Sequence, residues 1–200
     1  VMGRASIFFA IEGYVYLESP DTNTPLVISH RGVSNKNGVQ NTVQSLEKTA
    51  QLKPDLIEMD VQETKDGQFV MMHDANLKNL TGINATPQDL TLDELTNTDI
   101  YENGYQTKIS SFDAYLERAN ALNQKLLIEI KTSKKDSPQM MDHFLEKYGA
   151  TIKKYGHQMQ SLDYHVIDKV LTYDSEIPVY FILPYNSIFP RTKATGYAME

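Results

Sequence analysis

Three acidic residues on two short apolar segments carry the clearest chemistry in this sequence. In Leu56-Ile57-Glu58-Met59-Asp60-Val61, the two-residue side-chain period of a strand puts Leu56, Glu58 and Asp60 on one face and Ile57, Met59 and Val61 on the other. The same arithmetic over Leu127-Ile128-Glu129-Ile130-Lys131 sets Glu129 beside Lys131, with Ile128 and Ile130 opposite. Acids buried without partners are strongly disfavoured, so a cation is expected close to them. Three carboxylates facing one space point to a hard ion with oxygen ligands, Mg²⁺ or Ca²⁺. Two histidines close other apolar runs, His30 after Leu26 to Ser29 and His73 after Phe69 to Met72. Imidazole titrates near neutrality, which suits the pair to general base and general acid work. Singly, each feature has a structural reading, a satisfied histidine or a solvated ion pair. Four such strand ends in one chain argue against coincidence.

The elements that must position these residues alternate strand and helix. Leu26 to Ser29 reads as a strand, and Asn41 with Gln44 as a capping box opening a helix to about Leu52, stopped by Pro54. Leu56 to Gln62 and Gln68 to His73 read as strands joined by the turn Lys65-Asp66-Gly67. Thr91 with Glu94 is a second capping box. A helix from Ser111 to Ala121 precedes the strand Lys125 to Lys131, and Ser137-Pro138 reads as an N-cap and first helical residue opening a helix to Tyr155. A strand at Met159 to Ser161, a helix at Tyr164 to Tyr173 and a strand at Val179 to Leu183 follow. This alternation predicts a parallel α/β architecture, and catalytic groups in such folds collect at strand carboxyl ends. Residues Asn76 to Ile109 read as a polar, loop-rich segment lying over that end.

The motifs, taken in order, resemble a known family. His30-Arg31-Gly32, Asn41-Thr42, Glu58-Met59-Asp60-Val61, Lys65-Asp66-Gly67, His73-Asp74, Leu77 with Thr81-Gly82, and Glu129-Ile130-Lys131 together resemble the glycerophosphodiester phosphodiesterases, from about Pro25 to Leu183. The resemblance implies a TIM (β/α)₈ barrel with one divalent metal held by Glu58, Asp60 and Glu129. It implies His30 and His73 as the acid/base pair, with Arg31 and Lys131 neutralising the phosphate. The substrate it implies is a small-molecule glycerophosphodiester, cleaved to glycerol phosphate and an alcohol. The hydroxyl next to the phosphodiester attacks phosphorus, and water opens the resulting cyclic phosphate. The family usually has Glu just before the Asn-Thr pair; this chain has Gln40, which predicts altered charge near the metal. Two further readings stay open: Glu58 and Glu129 as a glycosidase pair, and a weakly active or inactive binding or scaffold domain that keeps the motif.

Composition sets the outer limits. The 200 residues are 40% hydrophobic and 22% charged, enough for one globular domain with a substantial core. The formal charge of −7 and the absence of any basic cluster beyond the three lysines in Lys131 to Lys135 exclude nucleic acid as an expected partner. Without cysteine there is no disulfide, thiolate metal site or cysteine nucleophile. The Ala5 to Ile11 run is too short to span a bilayer, which takes about 20 residues. Residues 1–17 are expected to form an amphipathic helix, from the spacing of Ile7, Phe8, Ile11 and Val15, and Ser19 to Pro25 a linker. The expected organisation is therefore a helix and linker over 1–24 and the barrel domain over 25–200. About six strands are legible where a closed barrel has eight, so this chain is expected to lack the last two strand-helix units and to be a portion of a longer, full enzyme. The resemblance, with the apolar start and the absence of cysteine, implies an extracytoplasmic parent attached to the membrane by a segment outside the chain, or otherwise a cytoplasmic one. Open sheet edges would give a tendency to self-associate.

Overall fold

The computed structural model describes residues 10–11, 14–18, 25–33, 35–183 and 194–199. Its main sheet is built from β1 (Ala10–Ile11), β2 (Tyr14–Glu18), β3 (Pro25–Ser29), β4 (Leu56–Glu63), β5 (Phe69–Met71), β8 (Leu126–Ile130), β9 (Gln158–Ser161), β10 (Val179–Leu183) and β11 (Gly196–Met199). A separate hairpin pairs β6 (Asp99–Glu102) with β7 (Tyr105–Lys108). The helices are α1 (Val43–Ala50), α2 (Lys78–Thr81), α3 (Leu92–Thr96), α4 (Phe112–Ala121), α5 (Met140–Tyr155) and α6 (Tyr164–Tyr173).

Strands β3, β4, β8, β9, β10 and β11 run parallel in that spatial order, so six parallel strands lie among the described residues. The sequence reading also reaches six, by a different membership. Phe69–Met71 is not one of them: β5 folds back antiparallel on the end of β4, with Val61 opposite Met71, because the three-residue turn allows only a hairpin. β11, in the polar tail of the sequence, takes the sixth place.

The alternation read from the sequence decides what faces what. Ile57, Met59, Val61, Leu126, Ile128, Ile130, Met159 and Val179 pack outward under α4, α5 and α6, in one core with Phe112, Phe144 and Tyr148. Phe69, Phe112, Phe144 and Tyr148 form its aromatic centre, with ring centroids 4.7 to 5.8 Å apart. The inner face is apolar only in its lower layer, where Ile28, Leu56 and Leu127 meet. Above that layer come Glu58, Asp60 and Glu129.

Several boundaries differ from the sequence reading. Ala10–Ile11 and Tyr14–Glu18 are strands rather than part of a helix, and β2 pairs antiparallel with β3 along its whole length. Tyr-Val-Tyr-Leu is β-prone, and the outer edge of β3 offers unpaired backbone groups that a helix could not satisfy. The remainder of the expected helix, and linker residues 19–24, lie outside the described residues. α5 begins at Met140 rather than at Pro138, because Ser137 donates both its N–H and its hydroxyl to the Glu63 carboxylate, each at 2.6 Å, and so is not free to cap. The Asn76 to Ile109 segment is more ordered than expected: it forms α2, α3 and the β6–β7 hairpin around its own core of Leu77, Leu95, Ile100 and Ile109 with Val39, Val70 and Met72.

Candidate active site

The two acid-bearing strands are neighbours in strict register, Asp60 opposite Glu129, so the sheet itself delivers the three carboxylates to one place. One oxygen from each of Glu58, Asp60 and Glu129 lies within 4.8 Å of the others, and all three residues are buried. Burial, reinforced by the negative charges of Asp60 and Glu129, pushes the Glu58 carboxyl well above the ordinary range. Glu129 is raised in the same way, by burial and Asp60, with Lys131 opposing. The Lys131 ammonium stands 3.0 Å from Glu129 and 3.7 Å from Asp60, and their attraction raises its pKa against the pull of burial. One ammonium does not offset three converging carboxylates. An all-oxygen anionic donor set of this kind fits a hard divalent cation.

Each carboxylate is also held from behind. Asn41 donates its side-chain amide to Asp60 Oδ2 at 2.9 Å and accepts the Asp60 backbone N–H at 3.0 Å. This occupies Asn41, so the cap of α1 is Thr42, which accepts from the Ser45 N–H, rather than the Asn41–Gln44 pair. Gln160 donates to Glu129 Oε2 at 3.0 Å from the adjoining strand. The backbone N–H of Arg31 donates to Glu58 Oε2 at 2.8 Å.

The His30-Arg31-Gly32 turn explains its own composition. Arg31 and Gly32 both have left-handed φ, 53° and 65°, and a Cβ on Gly32 would stand 2.6 Å from the buried Tyr115 hydroxyl. The turn throws His30 and Arg31 over the carboxylates. His30 Nε2 lies 3.8 Å from Glu58 Oε2. Its ring is 47% exposed, yet partial desolvation and the adjacent Arg31 guanidinium hold its pKa down to about 4, leaving it neutral at physiological pH.

His73 is returned to the same site by β5, and the chain is pinned there by the Met72 N–H bonding Asp60 O at 3.1 Å. Arg31 Nη2 meets His73 Nε2 at 2.8 Å. A guanidinium can only donate, so Nε2 accepts, and Nδ1–H is the donor to Asp74 Oδ1 at 2.9 Å. The fold thus brings together all seven residues singled out from the sequence. Reading the sequence missed the supporting shell of Gln160 and Glu102. Gln160 was findable, since it shares a strand face with the barrel interior; Glu102 comes from the Asn76 to Ile109 segment and carries no local signal. Gln40 does not bond the carboxylates: its amide lies between Arg31 and Glu102.

Comparison with known proteins agrees with this geometry. The chain is similar to lysophospholipase D GDPD1 of Homo sapiens, 28% identical over 171 residues, which are 78% of this chain and 51% of that protein. It therefore spans about half the length of that relative. Among solved structures, it superposes on a glycerophosphodiester phosphodiesterase from Parabacteroides distasonis with a TM-score of 0.63 at 25% identity, covering 78% of this chain and 63% of the other. An Oleispira antarctica phosphodiesterase in complex with the product sn-glycerol-3-phosphate gives a TM-score of 0.67 at 22% identity, covering 78% and 65%. The curled parallel sheet with outer helices is thus the α/β barrel fold of these enzymes. The profile of the glycerophosphoryl diester phosphodiesterase family matches residues 30–183, from the first site histidine to the end of β10, and the chain belongs to that family.

Proposed function

We propose that this chain carries the active site of a metal-dependent phosphodiesterase that hydrolyses glycerophosphodiesters to glycerol phosphate and an alcohol. The observation behind this reading is the convergence of Glu58, Asp60 and Glu129 within 4.8 Å, ringed by His30, His73, Arg31 and Lys131, in a member of this family. Glu58, Asp60 and Glu129 would hold one divalent ion, Mg²⁺ or Ca²⁺. When bound, that ion supplies Lewis-acid polarisation of the non-bridging phosphate oxygens.

The chain's own residues do the rest. Arg31 and Lys131 bind the phosphate and offset its charge as it builds up on the oxygens. His30, held neutral, takes the proton of the glycerol hydroxyl as that oxygen bonds to phosphorus. His73, oriented by Asp74, gives a proton to the departing alcohol oxygen as the P–O bond breaks. Arg31 turning toward the phosphate frees His73 Nε2 to take up a proton from solvent, with Nδ1–H kept on Asp74, and that Nε2 proton is the one transferred. Water then opens the cyclic phosphate with the two histidines in exchanged roles.

The test is elemental analysis of the purified protein beside turnover of glycerophosphocholine, with EDTA and with Mg²⁺ or Ca²⁺ restored. Stoichiometric metal and EDTA-reversible turnover are expected. Metal without turnover would favour a binding or scaffold domain, and turnover unaffected by EDTA would remove the metal from the mechanism. No helix among the described residues is long and apolar enough to cross a membrane. Attachment to an extracytoplasmic membrane face is proposed for a segment outside this chain, and fractionation of cells tests it. Self-association through the open sheet edge is proposed alongside, with sedimentation as its check.

A further inference from the structure

The segment between β5 and α4 reaches the site at two points: Asn79 donates to the Asp74 carboxylate behind His73 at 3.0 Å, and the end of the β6–β7 hairpin meets Gln40. The hairpin's Asn103-Gly104 turn has φ of 53° and 80°, the left-handed pair that a tight two-residue hairpin turn requires. The tip is fastened to the Asn37 to Gln40 loop. Asn103 donates to Gly38 O at 3.0 Å, and the Lys48 ammonium, itself bonded to Asn37 O, lies 4.2 Å from the centre of the Tyr105 ring. Glu102 then takes Gln40 with both oxygens: Oε2 accepts the Gln40 backbone N–H and Oε1 accepts its side-chain Nε2–H, each at 2.7 Å.

These partners leave the Gln40 amide one orientation. A carboxylate only accepts and a guanidinium only donates, so Nε2 must face Glu102 and Oε1 must face Arg31 Nη1, at 3.2 Å. Reversing the amide would set oxygen against carboxylate and nitrogen against guanidinium. Arg31 is consequently gripped at two corners, Nη1 by Gln40 and Nη2 by His73, while its buried Nε has no partner among the described residues. The residue after Gln40 is Asn41, which bonds Asp60, so the main-chain contact from Glu102 also steadies the loop behind a carboxylate of the site.

We propose that Glu102 is a positioning residue for the phosphate-binding guanidinium of Arg31, acting through the Gln40 amide. This rests on the phosphodiesterase reading for its catalytic consequence, but not for the pairing itself. The same geometry explains why position 40 is an amide. A glutamate there would oppose a second carboxylate at hydrogen-bonding distance, so Gln40 and Glu102 are a matched pair.

The matching defines the experiment: Glu102→Gln, Gln40→Glu and the double exchange, made in the full chain and assayed on glycerophosphocholine with divalent metal, with thermal unfolding measured on the metal-free protein. Each single change removes or opposes one charge-assisted hydrogen bond. Each is expected to lower kcat/KM by about tenfold, the equivalent of about 1.4 kcal/mol. The loss should appear mainly in KM, because a misaimed guanidinium binds phosphate poorly; a merely structural role would lower active protein and leave KM unchanged. The double exchange restores an amide–carboxylate pair and is expected to return kcat/KM to within about threefold of the parent, with the unfolding midpoint recovering as well. Additive losses in the double variant, or a Glu102→Gln protein with unchanged KM and midpoint, would overturn the proposal. If the parent turns nothing over, the phosphodiesterase reading fails alone, and recovery or additivity of the midpoints still decides the pairing.

Discussion

The two ends of the parallel sheet treat ionisable groups in opposite ways. At the amino ends, His157, Asp55 and Gln124 each meet partners that satisfy them, although the buried Gln158 Oε1 has none among the described residues. His157 accepts the Leu126 N–H on Nδ1 at 3.1 Å and faces Asn120 Oδ1 with Nε2 at 2.8 Å. Asp55 accepts the Val27 N–H, and Gln124 spans Pro54 O and Lys125 O. At the carboxyl ends, Glu58, Asp60 and Glu129 are pressed together, with burial and mutual repulsion raising the Glu58 and Glu129 carboxyls. One end is arranged to hold the fold, whereas the other gathers like charges at the fold's expense. Barrel enzymes divide their labour along this axis.

The largest expected effect breaks the carboxyl end without breaking the fold. Glu58→Gln and Glu129→Gln each remove one of the proposed metal ligands, and stoichiometric metal should be lost, with turnover falling by about 10³-fold or more. Relief of like-charge repulsion should at the same time raise the unfolding midpoint of the metal-free protein. A lower midpoint would mean that these carboxylates are structural and that the contrast between the two ends is wrong. Next in size, His30→Ala and His73→Ala should cost about 10²- to 10⁴-fold in kcat while metal content stays at the parent level. Near-normal rates would withdraw the acid/base assignment.

The carboxyl end was also the more legible in the sequence, for a physical reason. Strand period two is local, so the side on which Glu58, Asp60 and Glu129 fall follows from four or five neighbouring residues. The histidines and Lys131 follow from adjacency to the same strands. What was not legible depends on partners far away in the chain. The β2 strand exists because the β3 edge needs hydrogen bonds. Ser137 fails as a cap because Glu63, distant in sequence, takes it. Asn41 leaves the capping role to Thr42 because Asp60 claims its amide. Glu102 belongs to a hairpin whose docking no local pattern announces. The fold class and the convergence of the seven residues were therefore readable, whereas the contacts from Gln160 and Glu102 were not.

The smallest expected effect sharpens the contrast from the other end and has a definite sign. Burial, with a further push from Lys125, holds His157 down to about 4, against 6.5 when free in the unfolded chain. Protonating Nδ1 would expel the Leu126 N–H, so the folded state resists it. Between about pH 6.5 and 4 the unfolded chain binds a proton that the folded chain does not, and stability must fall as pH drops through this window. Above about pH 7 both states are neutral and the contribution is constant; below about 4 both are charged and no more is lost. The full difference is of the order of 3 kcal/mol. The raised Glu58 and Glu129 carboxyls act with the opposite sign, so the whole-protein curve mixes the two ends. Comparing denaturant unfolding of the parent with that of His157→Gln isolates the amino end, since the amide can accept from Leu126 and donate to Asn120 without titrating. The parent's stability relative to His157→Gln should decline from pH 6.5 to 4 and stay flat above 7. Parallel curves would show that His157 gains its proton in the folded state as easily as outside it, and that the amino end is not the rigid, satisfied region its hydrogen bonds describe.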